Sequence, residues 1–190
     1  MRSGFRYIGR NVSQMTRQEI TEFYRKHHRR LYNIAWRILR DSGQAEEAMQ
    51  DTILKFVSEE RTFGSEAQVS AWLARTCIRA AIDRLRRRQR EAAFLADYAG
   101  LASQQNEADS VIPGEDPESP GPFDGLTIDR IRAAMDALPE PYRLVLNLIL
   151  VEGLDYAEIA ELTGRKETTL RSLYSRGRTR LIALLKQATI

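Results

Sequence analysis

The run Asp155-Tyr156-Ala157-Glu158-Ile159-Ala160-Glu161-Leu162-Thr163-Gly164-Arg165-Lys166-Glu167-Thr168-Thr169-Leu170-Arg171-Ser172-Leu173-Tyr174-Ser175-Arg176 decides the fold. Asp155 and, three residues on, Glu158 form a capping-box pair that opens a short helix. Thr163-Gly164 ends it, and a longer helix follows in which Leu170, Leu173, Tyr174, Leu181, Leu184 and Leu185 recur at helical spacing. A short helix, a glycine turn and a second helix make a helix-turn-helix. Thr168, Arg171, Ser172, Ser175 and Arg176 fall together on the face opposite the leucines.

Charge sharpens that reading. Residues 165–180 hold Arg165, Lys166, Arg171, Arg176, Arg178 and Arg180 against the single acid Glu167. Arginine and lysine neutralise phosphates, and short hydroxyls such as Thr168, Thr169 and Ser172 let a helix approach base edges. A solvated helix pair would show the same periodicity, but its stability does not call for so one-sided a charge.

Working outward, the preceding stretch continues the pattern. Ile128 to Leu138 reads as a helix stopped at Pro139, and Pro141 suits the first turn of the next, which runs to about Val151. Upstream lies residues 91–127, with Pro113, Pro117, Pro120 and Pro122 and eight acids but no Lys or Arg. That composition predicts a flexible acidic linker, with room for a short helical turn near 92–101. With a chain total of +3, the residues outside this −8 segment carry +11, an asymmetry that points to a nucleic-acid partner.

Residues 16–90 read as three more amphipathic helices. The stripes are Tyr24, Leu31, Ile34, Ala35 and Ile38; Ala45, Ala48, Met49, Thr52, Ile53, Phe56 and Val57; and Ala71, Ala74, Ile78, Ala81, Ile82 and Leu85. Breaks fall at Asp41-Ser42-Gly43 and across residues 61–65. The predicted fold is all-α, with two small helical domains (16–90 and 128–190), a linker (91–127) and an N-terminal extension (1–15). The proline- and glycine-rich tether predicts that the two domains move freely relative to each other.

Two surfaces of the first domain call for partners. Arg84, Arg86, Arg87, Arg88 and Arg90 crowd one helix end. Their mutual repulsion would be offset by a polyanion, although a solvated helix C-terminus also favours cations. Trp72, Arg75, Thr76, Arg79 and Asp83 lie upstream on the same helix, and an exposed Trp72 could stack on unpaired bases. On the second helix Glu46, Glu47, Gln50 and Asp51 form a polar face that Leu54 continues; an apolar residue there suggests a protein partner.

Several classes are set aside. Cys77 stands alone, so no internal disulfide or cysteine cluster is expected, and it reads as a small buried hydrophobe. No run approaches the ~18 apolar residues of a membrane span, and no apolar run follows the N-terminal arginines. A cytoplasmic chain without membrane insertion is expected. His27 and His28 are neighbours without a carboxylate pair or nucleophile beside them, and no Gly-rich phosphate loop occurs. No catalytic residue, metal or cofactor is expected.

In their order and spacing these stretches resemble the extracytoplasmic-function group of bacterial sigma factors. The matching runs are Gln44-Ala45-Glu46-Glu47-Ala48-Met49-Gln50-Asp51-Thr52, Ala71-Trp72-Leu73-Ala74-Arg75, Ala81-Ile82-Asp83-Arg84-Leu85-Arg86-Arg87-Arg88, Ala137-Leu138-Pro139-Glu140, and Glu152 to Glu161. The resemblance implies a subunit that steers core RNA polymerase to promoters and is held by an anti-sigma factor. It implies that the helix with Glu46, Glu47, Gln50, Asp51 and Leu54 docks on the polymerase. It implies that Trp72, Arg75, Arg79, Arg84, Arg86, Arg87 and Arg88, with the loop before them, meet the minus-ten element. Lys166, Thr168, Thr169, Arg171, Ser172, Ser175, Arg176 and Arg178 would meet the minus-thirty-five element. The family usually has Asn where this chain has Arg79, and a small polar residue and Gly where it has Lys166 and Thr168. A stand-alone helix-turn-helix regulator, the main alternative, leaves the Glu46–Leu54 face and the Arg84–Arg90 cluster without a role. A protein-only adaptor is disfavoured by the +11.

Overall fold

Seven α-helices carry the described residues of this computed structural model, which are 8–9, 11–98 and 127–187. They are α1 (Arg17–Leu39), α2 (Ser42–Val57), α3 (Glu66–Tyr98), α4 (Ile128–Asp136), α5 (Glu140–Leu146), α6 (Tyr156–Thr163) and α7 (Glu167–Gln187). A 3-10 turn at Val12–Gln14 precedes α1, and a π-helical turn at Asn147–Val151 extends α5. The architecture is all-α. The one β-type pairing among the described residues is an isolated bridge between Asn11 and Thr62.

Local chemistry sets the boundaries. Thr16 caps α1 in a reciprocal box with Glu19, which satisfies the orphan amides of the first turn. α1 ends where Arg40 takes a left-handed φ of 54°. Asp41 then accepts from the Gln44 amide at 2.9 Å and starts α2, so Ser42 and Gly43 lie in its first turn. The expected break between α1 and α2 is therefore two residues long.

α1, α2 and α3 enclose one apolar centre. Phe23 and Phe56 stack with ring centroids 4.2 Å apart, and Leu31, Ile34, Ile38, Met49, Ile53, Leu73, Ile78, Ile82 and Leu85 are buried around them. Each large side chain removed from water contributes about 1.5–3 kcal/mol. Two expected inward residues are not inside. Tyr24 is 40% exposed and lies against the His28 ring, while Phe23 takes the core position. Ala71 is exposed, and Leu73 and Ala74 face inward. In both cases the true stripe begins one or two residues away, because Phe23 has no hydroxyl to desolvate and Leu73 buries more apolar area than Ala71.

Cys77 is fully buried and donates to the Leu31 carbonyl at 3.4 Å. Burial pushes its thiol up to about 11, so it behaves as the expected small hydrophobe and not as a nucleophile. α3 does not stop at Arg90: it runs to Tyr98. Glu91, Ala92 and Ala93 are good helix formers, and Arg87 pairs with Glu91 one turn on at 3.7 Å. The rest of the predicted linker, 99–126, lies outside the described residues.

In the second group α5 packs against α7. A Cβ on Gly177 would meet the Tyr142 Cβ at 3.1 Å, so a side chain there would require the closely packed helices to give by a few tenths of an ångström. Leu138, Tyr142, Val145, Leu146, Leu148, Ile159, Leu162 and Leu170 are buried. Leu170 and Leu185 are inside as expected, while Leu173, Tyr174, Leu181 and Leu184 are half-buried.

The two groups touch, although their independence was expected. Arg37 reaches Glu152 at 2.5 Å, Arg79 reaches Glu161 at 3.1 Å, and Arg75 pairs with Glu158. Arg40 pairs with Asp136, and Arg88 lies 4.0 Å from Glu140. In each pair the arginine belongs to the first group and the acid to the second. The reason is a local one that a domain-wide charge conceals. Residues 128–164 hold seven acids against three arginines, and the basic excess of the second group begins only at Arg165.

His27 is a buried titratable group of the core, at 5% exposure. Its ring lies 4.5 Å from that of Phe23, and its Nε2 has no hydrogen-bond partner. Burial, then the charges of Lys26 and Arg30, lower it to about 4. A depressed histidine folds neutral, so the unfolded chain binds more protons between pH 6.5 and 4 and stability falls as pH falls through that window. Thermal melts should show a loss of about 2 kcal/mol between pH 7 and 5 that His27→Phe removes. An identical pH dependence in the variant would refute the assignment.

Candidate nucleic-acid interface

α6 and α7 assemble the helix-turn-helix as its sequence requires. Asp155 accepts from the Glu158 amide at 2.8 Å while Glu158 accepts from the Asp155 amide at 3.1 Å. Gly164 closes α6 at a φ of 63°, a conformation glycine adopts without strain. Leu170 then seats α7, fully buried. On the other side Thr168, Thr169, Arg171, Ser172, Ser175, Arg176 and Arg178 are all exposed, as is Lys166 before the helix. The face read from the sequence is therefore one continuous surface.

Arg171 is held within that surface. Its guanidinium lies 3.3 Å from Glu167 and 4.5 Å from the centre of the Tyr156 ring. Tyr156 itself stands edge-on to Tyr174. No side-chain cap opens α7; the Lys166 carbonyl accepts from the amides of Thr169 and Leu170 instead.

The basic residues of α3 stand differently. Arg75, Arg79 and Arg87 are exposed and Arg84, Arg86 and Arg88 half-buried, and each has an intramolecular partner. Arg75 and Arg79 meet Glu158 and Glu161 of α6. Arg86 donates to the Thr163 carbonyl at the end of α6, where the helix dipole favours a cation. Arg88 donates to the Leu39 carbonyl at the end of α1, at 3.1 Å. Arg84 turns toward α2, 2.5 Å from Asp51 and 3.8 Å from Glu47.

Trp72 departs from the expected exposed stacking platform. It is half-buried, 5.7 Å from the Phe56 ring and 6.0 Å from that of Phe63. Its indole gains more from the aromatic cluster than from water. The loop before α3 was expected only in outline, and it carries the outward residues Arg61, Thr62, Gly64 and Ser65. Its polar composition was the one signal available for them. Glu158 and Glu161 also escaped notice as partners, being two acids on a helix assigned to a basic domain.

The second surface stands as read. Glu46, Glu47, Gln50 and Asp51 are exposed along α2, and Leu54 continues them at 67% exposure. Gln50 donates to Glu46 at 3.2 Å. Among the described residues no group of three His, Cys, Asp or Glu is placed to hold a metal ion, and no helix is long and apolar enough to cross a membrane.

Comparison with known proteins gives the same two halves. Residues 23–91 match sigma-70 region 2, and residues 128–181 match sigma-70 region 4. The sigma factor SigM of Mycobacterium tuberculosis is 29% identical over 170 residues, spanning 89% of this chain and 78% of that relative. The sigma factor EcfG of Rhodopseudomonas palustris is 27% identical over 145 residues, 76% of this chain and 73% of its own. Both are described as extracytoplasmic-function RNA polymerase sigma factors. In fold, the chain resembles the sigma factor RpoE of Bartonella quintana, solved with the anti-sigma factor NepR. The TM-score is 0.53 at 23% identity, over 89% of this chain and 98% of that one. With regions 2 and 4 both matched, in that order and together over more than half of its length, the chain belongs to the sigma-70 family.

Proposed function

We propose that residues 16–90 and 128–190 act as two promoter-reading domains of one initiation factor. It works by binding, without catalysis, in the cytoplasm, as an alternative sigma factor restrained by an anti-sigma protein. The observation that carries this reading is the exposed Thr168–Arg171–Ser172–Ser175–Arg176 face. It lies on a helix anchored by Leu170 and set by the Gly164 turn. That face suits the major groove of the minus-thirty-five element. α3 and the loop before it suit the minus-ten element, with Arg75, Arg79, Arg86, Arg87 and Arg88 supplying charge. The Glu46–Leu54 face of α2 suits core polymerase. Arg84 is assigned to the support of Glu47 and Asp51 on that face, given its 2.5 Å approach to Asp51.

Promoter binding on this reading requires exchange. Arg75 and Arg79 now hold carboxylates, and phosphates would replace them. Both arginine side chains are more than half exposed, and exposed pairs contribute about 0–1 kcal/mol each. The exchange is therefore within reach of a DNA site with several phosphate contacts.

Run-off transcription with core polymerase tests the α7 face. Arg171→Ala and Arg176→Ala should each lower promoter-dependent product; a bidentate base contact is worth about 1–3 kcal/mol. A base-reading arginine relaxes preference at one or two upstream positions, whereas a phosphate-binding arginine weakens every promoter and flattens the salt slope. Wild-type activity and preference from both variants would remove α7 as the upstream reader. A mobility-shift assay with the free chain separates this function from that of a stand-alone regulator, which would bind duplex DNA without polymerase.

The α2 face is tested apart from the fold. Glu46→Lys and Leu54→Asp alter side chains that point outward, so thermal stability should stay within about 0.5 kcal/mol. Affinity for core polymerase in a pull-down or titration should fall about tenfold, the effect of ~1.4 kcal/mol. Unchanged affinity in both variants would place the docking surface elsewhere.

A further inference from the structure

The region before α1 was assigned no role from the sequence, yet Gly9 and residues 11–15 are built into the fold at one place, the loop between α2 and α3. The Gly9 amide donates to the Phe63 carbonyl at 2.9 Å. Asn11 and Thr62 form an antiparallel bridge. Val12 is fully buried and Met15 is 9% exposed, both in the same apolar cluster as Phe56 and Phe63. Asn11 accepts from the Ser13 amide at 3.0 Å and the Ser13 hydroxyl at 2.8 Å, which closes the 3-10 turn and fixes where Val12 enters.

The loop is otherwise held from two sides. Phe63 is 3% exposed and packs 5.5 Å from the Phe56 ring and edge-on to Trp72. On the α3 side Gly64 donates to the Gln68 side chain at 2.9 Å, and the Gln68 amide donates to Ser65 Oγ at 3.3 Å. Between these anchors Arg61, Thr62, Gly64 and Ser65 face outward. The backbone of Thr62 and Phe63, which aims those side chains, is the part that the N-terminal segment grips. Backbone pairing fixes direction where a single buried phenylalanine leaves the flanking residues free to turn.

We propose that Gly9 and residues 11–15 are a positioning element for the loop of residues 61–65, and that they set its base preference at the minus-ten element. This rests on the reading of that loop as a promoter-facing segment. The segment touches no DNA itself; it acts by holding Thr62 and Phe63 in the conformation that presents Arg61, Thr62 and Ser65. The grip is main chain to main chain with two apolar anchors, Val12 and Met15, and the Asn11 side chain sets the turn that delivers Val12.

Gly9 permits a test without a core mutation. Its φ is +79°, and an added Cβ would meet nothing within 4 Å. Gly9→Pro removes the donating amide and forbids that φ, whereas Gly9→Asn keeps the amide and tolerates the left-handed region. The full-length variants are assayed with core polymerase on templates with a fixed upstream element and every single-base change across the minus-ten element. Gly9→Pro should shrink discrimination at one or two downstream positions by about threefold to tenfold, the effect of one lost backbone hydrogen bond. Core affinity and upstream preference should be unchanged, and Gly9→Asn should match the wild type. Hydrogen exchange at the Gly64 amide should quicken in Gly9→Pro alone.

Wild-type minus-ten preference in Gly9→Pro would overturn the proposal. So would an equal loss at both elements or a loss of core binding, since either marks a general structural role. Failure of the unmutated chain to direct initiation from any template would instead overturn the promoter-facing reading beneath it.

Discussion

A guanidinium that holds a carboxylate is not available to a phosphate, and the arrangement of this molecule depends on that exclusion. Arg75 and Arg79 of α3 face Glu158 and Glu161 of α6, and Arg86 reaches the end of the same helix. These arginine contacts are polar and open to solvent, so each is weak and screened by salt, while buried apolar residues of both groups, among them Leu85, Leu148 and Ile159, share one cluster. Glu152 differs. At 7% side-chain exposure it is desolvated, and Arg37 at 2.5 Å is what makes its burial tolerable. Losing one partner of a buried pair costs much more than losing an exposed one. The interface therefore has one firm ion pair beside a row of exchangeable ones, and the exchangeable row covers the side of α3 proposed to face DNA.

α3 is the element through which these constraints meet. Leu73, Ile78, Ile82 and Leu85 bind it to α1 and α2. Its outward arginines reach α6, and Arg84 crosses back to the acidic side of α2. The link between Arg84 and Asp51 means that the proposed polymerase face and the proposed minus-ten face share a charge pair. Displacing Asp51 would leave Arg84, whose side chain is only 18% exposed, with Glu47 at 3.8 Å as its remaining ion-pair partner.

Much of this was legible in the sequence, and the exceptions have physical causes. The helices, the capping box at Asp155 and the Gly164 turn follow from short-range chemistry, and the structure repeats them. The α7 face is equally local, since its five residues lie within nine positions of one helix. What sequence periodicity blurred was phase. Tyr24 and Phe23 are adjacent, and only packing against Phe56 decides which goes inside. Trp72 was read from its neighbours' charge, but the aromatic ring of Phe63, from another segment, draws it inward. Gly177 gave no signal in a leucine-patterned helix; its reason is the Tyr142 Cβ of α5. The contact between the two halves was hidden because net charge averages the acidic α4–α6 with the basic α7.

Arg171 shows how the same local chemistry bears on recognition. A free arginine side chain carries about 2 kcal/mol of rotamer entropy, and a bidentate contact must overcome it. Here Glu167 one turn before it and the Tyr156 ring beneath it already restrict the guanidinium. Tyr156 is in turn steadied by Tyr174, so α6 and α7 together define where Arg171 points. The missing side-chain cap at Lys166 weakens the first turn of α7, but Glu167 in that turn complements the helix dipole and also holds Arg171. A residue fixed in this way loses less on meeting a base than one that must be ordered from solvent. On the proposed reading of α7 as the upstream reader, Arg171 therefore suits a base contact, and like Arg75 and Arg79 it must first release its carboxylate, here Glu167.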